Sequence, residues 1–396
     1  MKRKIVILSP ILPEVNPANA GEKLVFNLAD SLTELKNSVF IIAEDANSNV
    51  NKESSFDSII VERRKSRRSK LVDSLDSILS PFSSWAPRVS FLMDVLSCPI
   101  ALQKIKEADI VDLQWASMAL LAPGFRLFNP KAKFVGTLHD VNSQRLGRRA
   151  MAEENVIKSF IWKLQSYSSK ILEKHMFRFL DEVVVLSSKD KSLLSAQRKF
   201  PNKVAVVTPP IYDEFFGKIQ TLNRTKKPTF LFMGSMYRWE NENALRWLVD
   251  EVMPQVWSAH PEVSLRLVGP APEKLVESLD SRVTYMGVVD QIADAYQGIW
   301  ASLVPLKLGA GVKFKTVDAL LAGVPVISTY AGIEGIVDTR WAAQIAESPS
   351  AYARSIIQVI ESIDMYATKA QTNVPQISKI YGVEAYRERV RKVYGS

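Results

Sequence analysis

Short runs rich in valine and isoleucine recur along this chain, with longer mixed stretches between them. They read KIVILS, VFIIA, SIIVE, DIVDLQW, KFVGTLH, DEVVVLS and VAVVTPP in the first half, and TFLFMGS, VSLRLVG, VTYMG, ASLVPL and VPVIST in the second. None is longer than seven residues, and none alternates cleanly between apolar and polar. A strand covered on one face alternates, whereas a strand buried on both faces does not. Runs of this kind, separated by helical stretches of about ten residues or more, predict a parallel sheet of βα units. The expected fold class is α/β.

Length and prolines divide the pattern. At 396 residues the chain is long for one domain. The stretch PPIYDEFFGKIQTLNRTKKP, residues 209–228, is bounded by prolines and turns polar and basic in its second half. We expect an N-terminal domain over 1–208, a linker over 209–228 and a C-terminal domain over 229–375. A final helix over 376–396, with Val383, Tyr386 and Val390 apolar, is expected to pack back on the N-terminal domain. No close sequence repeat relates the halves. Doubly wound sheets bind ligands at the carboxyl ends of their strands, so two such domains are expected to face a central cleft that holds the ligands.

Composition excludes several classes. Hydrophobic residues make up 47% and charged residues 23%, which gives material for a real core. The single cysteine, Cys98, permits no disulfide within the chain. No apolar run approaches the roughly 18 residues of a membrane span. The opening MKRKIVILSP has too short an apolar part for a signal peptide and reads as a first strand. A cytoplasmic protein is expected. The net charge is +9, and much of it is local: Arg63, Arg64, Lys65, Arg67, Arg68 and Lys70 fall together in RRKSRRSK. The following stretch to Ser97 carries Phe82, Trp85, Phe91 and Met93 with few charges. This insert, residues 63–97, is either a solvated loop or a docking segment for an anionic membrane surface, which would place the protein at the inner face of the plasma membrane. No nucleic-acid module and no zinc-ligand spacing is present, so neither nucleic acid nor a metal site is expected.

The phosphate-binding signatures are informative by absence. The first strand is followed by SPILPEVNPANAGEK, without the glycine spacing of a dinucleotide fold, and GAGVKFKT lacks P-loop spacing. No Asp-x-Asp pair occurs to hold a cation on a diphosphate. No cofactor is expected, and positive side chains must meet any phosphate directly. The run GAGVKFKTVDALLAGVPVIS, residues 309–328, is laid out as loop, helix, turn and strand. Gly309 and Gly311 let backbone approach an anion, Lys313 and Lys315 add charge at the start of the helix, and Asp318 is placed to accept from a sugar diol. The same residues also describe a plain αβ unit with solvent-facing lysines. His139 ends KFVGTLH at the ligand side of its sheet, and Asp140 beside it is placed to orient its ring.

These residues carry a resemblance. PLKLGAGVKFKTVDALLAGVPVISTYAGIEGI, residues 305–336, resembles the donor-binding region of the group 1 glycosyltransferases, also called glycosyltransferase family 4. MGSMYRWENENALRWLVDEVMPQV resembles the strand, loop and helix that open the family's C-terminal domain, and VTYMGVVDQIADAYQGIWASLVPL the stretch before the donor loop. The N-terminal half is similar more weakly, through ILPEVNPANAGEKLVFNLADSL, VGTLHDVNSQR and EVVVLSSKDKSLL. The resemblance implies a GT-B fold of two doubly wound Rossmann-like domains. It implies a retaining, metal-independent transfer of sugar from a nucleotide-diphosphate-sugar to a glycan or lipid-linked acceptor, with cell-surface polysaccharide or glycoconjugate synthesis as its setting. Carried over by position, His139, Arg238 and Lys315 are the catalytic candidates. Gly21, Gly234, Gly309, Ala310, Gly311, Val312, Lys313 and Asp318 are the donor-binding candidates. Asp318 stands where the family usually has a glutamate, and Ala310 where it often has a second acid. Glu334, in GIEGI, follows the last matched strand. Two other readings stay open: a sugar-nucleotide 2-epimerase of the same architecture, and a non-catalytic protein that binds sugar nucleotides or glycans.

Overall fold

The structure, a computed structural model, describes residues 2–14, 20–44, 55–61, 89–176, 178–195, 203–210, 224–308 and 310–395. The chain forms two compact units: Met1–Pro209 together with Tyr386–Ser396, and Pro210–Ala385.

The first unit is built on a parallel sheet of seven strands. They are β1 (Lys4–Ser9), β2 (Ser38–Glu44), β3 (Ser58–Val61), β4 (Ile110–Gln114), β5 (Lys133–Leu138), β6 (Glu182–Val185) and β7 (Val204–Val206). Their order is β3-β2-β1-β4-β5-β6-β7. Val6 and Leu8 of β1 enter one core layer and Ile5 and Ile7 the other. Burial on both faces is why these strands read as unbroken apolar runs. Helix α1 (Ala20–Glu34) buries Val25, Leu28, Ala29 and Leu32 on the Ile5 side of the sheet. The chain returns to that side with Tyr386, Val390, Val393 and Tyr394, spaced as one face of a helix.

The second unit has a six-stranded parallel sheet ordered β10-β9-β8-β11-β12-β13. Its strands are β8 (Thr229–Met233), β9 (Ser264–Val268), β10 (Val283–Gly287), β11 (Ala301–Val304), β12 (Val326–Ser328) and β13 (Gln344–Ile345). Every apolar run named above carries a strand. The two-residue β13 is too short to show a period in sequence.

One expectation is corrected. Read as a docking segment, the insert would offer Phe91 to a membrane interface, but helix α2 (Val89–Ser97) buries Phe91 and Val95 in the first unit's core. Removal of an aromatic ring from water is worth more than interfacial contact when a core is available. Met93 on the same helix is 49% exposed. The cluster Arg63 to Lys70, Phe82 and Trp85 lie outside the described residues, as do most of the expected linker and Gly309.

Candidate functional site

Strand order sets a crevice in each unit. In the second sheet the order reverses between β8 and β11, so the crevice lies beyond the carboxyl ends of those two strands. The loop after β8 carries Gly234 and Arg238 and leads into helix α3 (Trp239–Arg246). The loop after β11 carries Ala310 to Lys313 and leads into helix α4 (Phe314–Leu321). Adjacent strand ends therefore bring these two loops together.

Lys315 lies at the centre of that meeting. Its Nζ donates to Asn241 Oδ1 at 2.8 Å, and the Asn241 amide is fixed in turn by donating from Nδ2 to the Ser235 carbonyl at 2.9 Å. A Cβ at Gly234 would stand 2.7 Å from Lys315 Nζ and 2.8 Å from Asn241 Nδ2, so the glycine lets both side chains sit where they bond each other. Gly269 permits a second close approach, since a Cβ there would lie 2.1 Å from the Gly234 carbonyl oxygen. Burial, with the nearby charges of Arg238 and Lys313 second and third, pushes the Lys315 ammonium down to about 7. Arg238 and Lys313 thus act on Lys315 from the two neighbouring loops, and the local field favours an anion.

The loop around them is braced. Gly311 has φ +71, the left-handed region open to glycine. Lys313 donates to the carbonyls of Ala310 and Gly311 at 3.0 and 2.7 Å, which holds the turn. Val312 is buried, and Gly335, in the loop that contains Glu334, packs against it. Thr316 Oγ1 donates to the Gly332 carbonyl at 2.7 Å and ties α4 to that same loop. No side chain caps the start of α4, so its first N–H groups and the positive dipole end serve the crevice. Asp318 is buried one turn along α4, near Tyr296, whose hydroxyl donates to the Lys315 carbonyl at 3.3 Å. Arg238 is the exposed member of the group, and Glu240 lies 3.9 Å from it.

In the first unit the order reverses between β1 and β4. Gln114 ends β4, His139 follows β5, and Gly21 lies in the first turn of α1. Nε2 of His139 lies 2.8 Å from Gln114 Oε1, and the ring stacks on Trp115 with centroids 3.8 Å apart. Trp115 holds φ +67, a strained conformation for a bulky side chain, of a kind that clusters at working sites. Burial pushes the His139 imidazole down to about 3, so the ring is neutral near pH 7. Asp112 settles which nitrogen carries the hydrogen. It accepts from Gln114 Nε2, from Thr137 Oγ1 at 2.9 Å and from the Tyr394 hydroxyl at 2.5 Å. Burial raises the Asp112 carboxyl to about 6 against those three bonds. With Nε2 of Gln114 turned to Asp112, its Oε1 must accept from His139 Nε2–H. Nδ1 is then the acceptor that His139 can present.

The partner expected for His139 is corrected here. Asp140 pairs with Arg145 at 3.3 Å, and Gln114 orients the ring instead. Residues adjacent in sequence at a strand end point to opposite sides, so adjacency to His139 was a misleading signal. Asn241, Gln114, Asp112 and Tyr394 escaped sequence reasoning. For Asp112 and Gln114 a signal existed: two polar residues at alternate positions of a strand with every residue buried require partners.

Residues 227–362, within the second unit, match the family model described as glycosyl transferases group 1. An uncharacterized 44.6 kDa protein in the cps region of Klebsiella pneumoniae is 25% identical over 223 residues, 53% of this chain and 55% of that protein. The chain thus spans about half the length of the curated relative it matches. Among solved structures, sucrose-phosphate synthase of Thermosynechococcus elongatus superposes with a TM-score of 0.75 at 16% identity, over 99% of this chain and 98% of that one. Anabaena Alr3699/HepE, solved in complex with UDP and glucose, gives 0.65 at 14% identity over the whole of both chains. The likeness establishes the GT-B fold.

Proposed function

We propose that this chain is a glycosyltransferase that moves a sugar from a nucleotide-diphosphate-sugar to a glycan or lipid-linked acceptor, with retention at the anomeric carbon and without a metal ion. The observation that carries the reading is the placement of Arg238, Lys313 and Lys315 on the two loop–helix junctions that meet at the strand-order reversal of the second sheet, with Lys315 Nζ bonded across to Asn241. The group 1 glycosyl transferase match over the same residues supports it, as do the UDP and glucose named with the Anabaena neighbour.

Breaking the glycosidic bond of such a donor leaves growing negative charge on the departing diphosphate. Fixed donors aimed at that charge are commonly the largest catalytic contribution. Lys315 and the first N–H groups of α4 receive the diphosphate, Arg238 reaches it from the exposed side, and Lys313 keeps the Ala310–Val312 turn in place. Asp318 is assigned to the ribose hydroxyls. Neutral His139 accepts a hydrogen bond from a sugar hydroxyl through Nδ1.

Thermal unfolding in EDTA against UDP, GDP, ADP and CMP tests the donor half of this reading. A ligand at a hundred times its dissociation constant adds about 2.7 kcal/mol, a shift of roughly 2–4 °C for a chain of this size. A shift with one nucleoside diphosphate, lost in Lys315→Met, is expected. Absence of any shift refutes the donor site. Binding without sugar transfer to any glycan or lipid acceptor identifies a non-catalytic binder.

A further inference from the structure

The second of two paired helices in the first unit has its polarity reversed. Helix Asn142–Ala152 is followed directly by helix Val156–Met176, of 21 residues. The fully buried side chains of the longer helix are polar, Gln165, Ser169 and Glu173, with Trp162 and Leu172 half-buried among them. Ser143 donates to the Glu173 carboxylate from its N–H at 3.0 Å and from Oγ at 2.6 Å. Ser166 Oγ donates to the Ser143 carbonyl at 2.6 Å, and Ser159 Oγ to the Ala150 carbonyl at 2.7 Å. The outward face carries an apolar stripe. Val156 is 81% exposed, Ile157 72%, Phe160 67%, Leu164 47%, Tyr167 66% and Ile171 41%.

At about 100° per residue these six fall within one arc of about 100°, and they run some 22 Å along the axis. Single exposed apolar residues are ordinary, but a contiguous stripe marks a contact surface. A helix facing water puts its apolar stripe inward; this one puts its serines and its carboxylate there. Lys163, Lys170 and Lys174 are exposed along one edge of the stripe. Glu173 is the only carboxylate in the helix, and it is buried.

We propose that helix Val156–Met176 docks on an anionic lipid bilayer. It lies in the plane of the surface with the stripe at the boundary between headgroups and acyl chains, and its lysine row meets the lipid phosphates. Among the described residues no helix is long and apolar enough to cross a membrane, so the contact is one of docking. Charge selects the occupant: a second copy would bring the same lysine row and no exposed carboxylate from this helix to meet it. The inference stands apart from the donor chemistry, because it needs neither nucleotide nor transfer.

The test is co-sedimentation of the full chain with vesicles of phosphatidylcholine alone, or with about one third phosphatidylglycerol. Binding to the anionic vesicles that weakens with salt is expected. The combined variant Phe160→Ser, Leu164→Ser, Tyr167→Ser should lose it while its thermal unfolding is unchanged or raised, since those side chains are exposed. Lys163→Gln, Lys170→Gln, Lys174→Gln should weaken partitioning by about 100-fold, at roughly a factor of five for each lysine. Failure to bind anionic vesicles overturns the proposal. So does undiminished binding by the serine variant, which would move the contact to the Arg63–Lys70 cluster. Sedimentation analysis that shows self-association abolished by the serine variant, without vesicle binding, would make the occupant a second copy and overturn it too.

Discussion

Lys315 should take up a proton when a nucleotide sugar binds. In the free protein burial and two neighbouring cations hold its ammonium at about 7, against an ordinary 10.5. At pH 8 such a group is about nine-tenths neutral, and at pH 6 about nine-tenths charged. A diphosphate placed against Nζ favours the charged form and returns the group toward its ordinary 10.5. Binding at pH 8 then draws about 0.9 proton per site, and at pH 6 about 0.1. Isothermal titration calorimetry reads this directly, as the slope of the observed enthalpy against the ionisation enthalpy of the buffer. A nucleotide sugar is the right probe because its diphosphate lacks the terminal phosphate that titrates near pH 6 in a free nucleotide. The buffers must contain no phosphate. Lys315→Met should bind more weakly and show a slope near zero at both values. A slope near zero at pH 8 in the unaltered protein would refute the placement of the diphosphate on Lys315. An undiminished slope in the variant would assign the proton elsewhere.

Three further outcomes are expected. Nitrogen-15 spectra should show His139, one of three histidines, as the Nε2–H tautomer at pH 6 and above; an Nδ1–H tautomer or an imidazolium at pH 6 contradicts the Gln114 assignment. An unfolded histidine takes its proton near 6.5, whereas His139 resists to about 3, so its contribution is present above 6.5 and is lost at about 1.4 kcal/mol per pH unit on acidification. Asp112, raised to about 6, works in the opposite sense between 3.8 and 6 and is common to both proteins, so urea unfolding of His139→Gln should show a loss between pH 6.5 and 4.5 smaller by about 2.3 kcal/mol. Gly269→Ala, with its Cβ 2.1 Å from the Gly234 carbonyl oxygen at φ +120, should cost at least about 2 kcal/mol in thermal or urea unfolding, and an unchanged midpoint would show that the two loops have room to separate.

The parallel strands were legible because each is buried on both faces, and unbroken apolar runs survive in sequence as such. The loop and helix over 310–321 were legible because their glycines and lysines are close together along the chain. The partners of its central lysine were not: Asn241 is 74 positions from Lys315, and only the neighbouring strand ends unite them. Gln114 and Tyr394 reach the His139 site from distant segments in the same way. The outward stripe Val156 to Ile171 is a different case. Its spacing is that of any core-facing helix, and periodicity alone does not say which side faces water. Only the buried Gln165, Ser169 and Glu173 on the opposite face reveal the direction.

The first unit is assembled from two stretches of chain made at different times. Tyr386, Val390, Val393 and Tyr394 close one side of its sheet, yet they are synthesised after the whole of the second unit. Until they arrive, Ile5, Ile7 and the α1 face have an open flank, and the Asp112 carboxylate lacks its phenol donor. Ordering during synthesis therefore runs against sequence order: the second unit can finish while the first waits. A gene fragment ending near Pro209 would encode every strand of the first sheet without its covering helix, and should aggregate through that flank rather than fold as a free-standing domain.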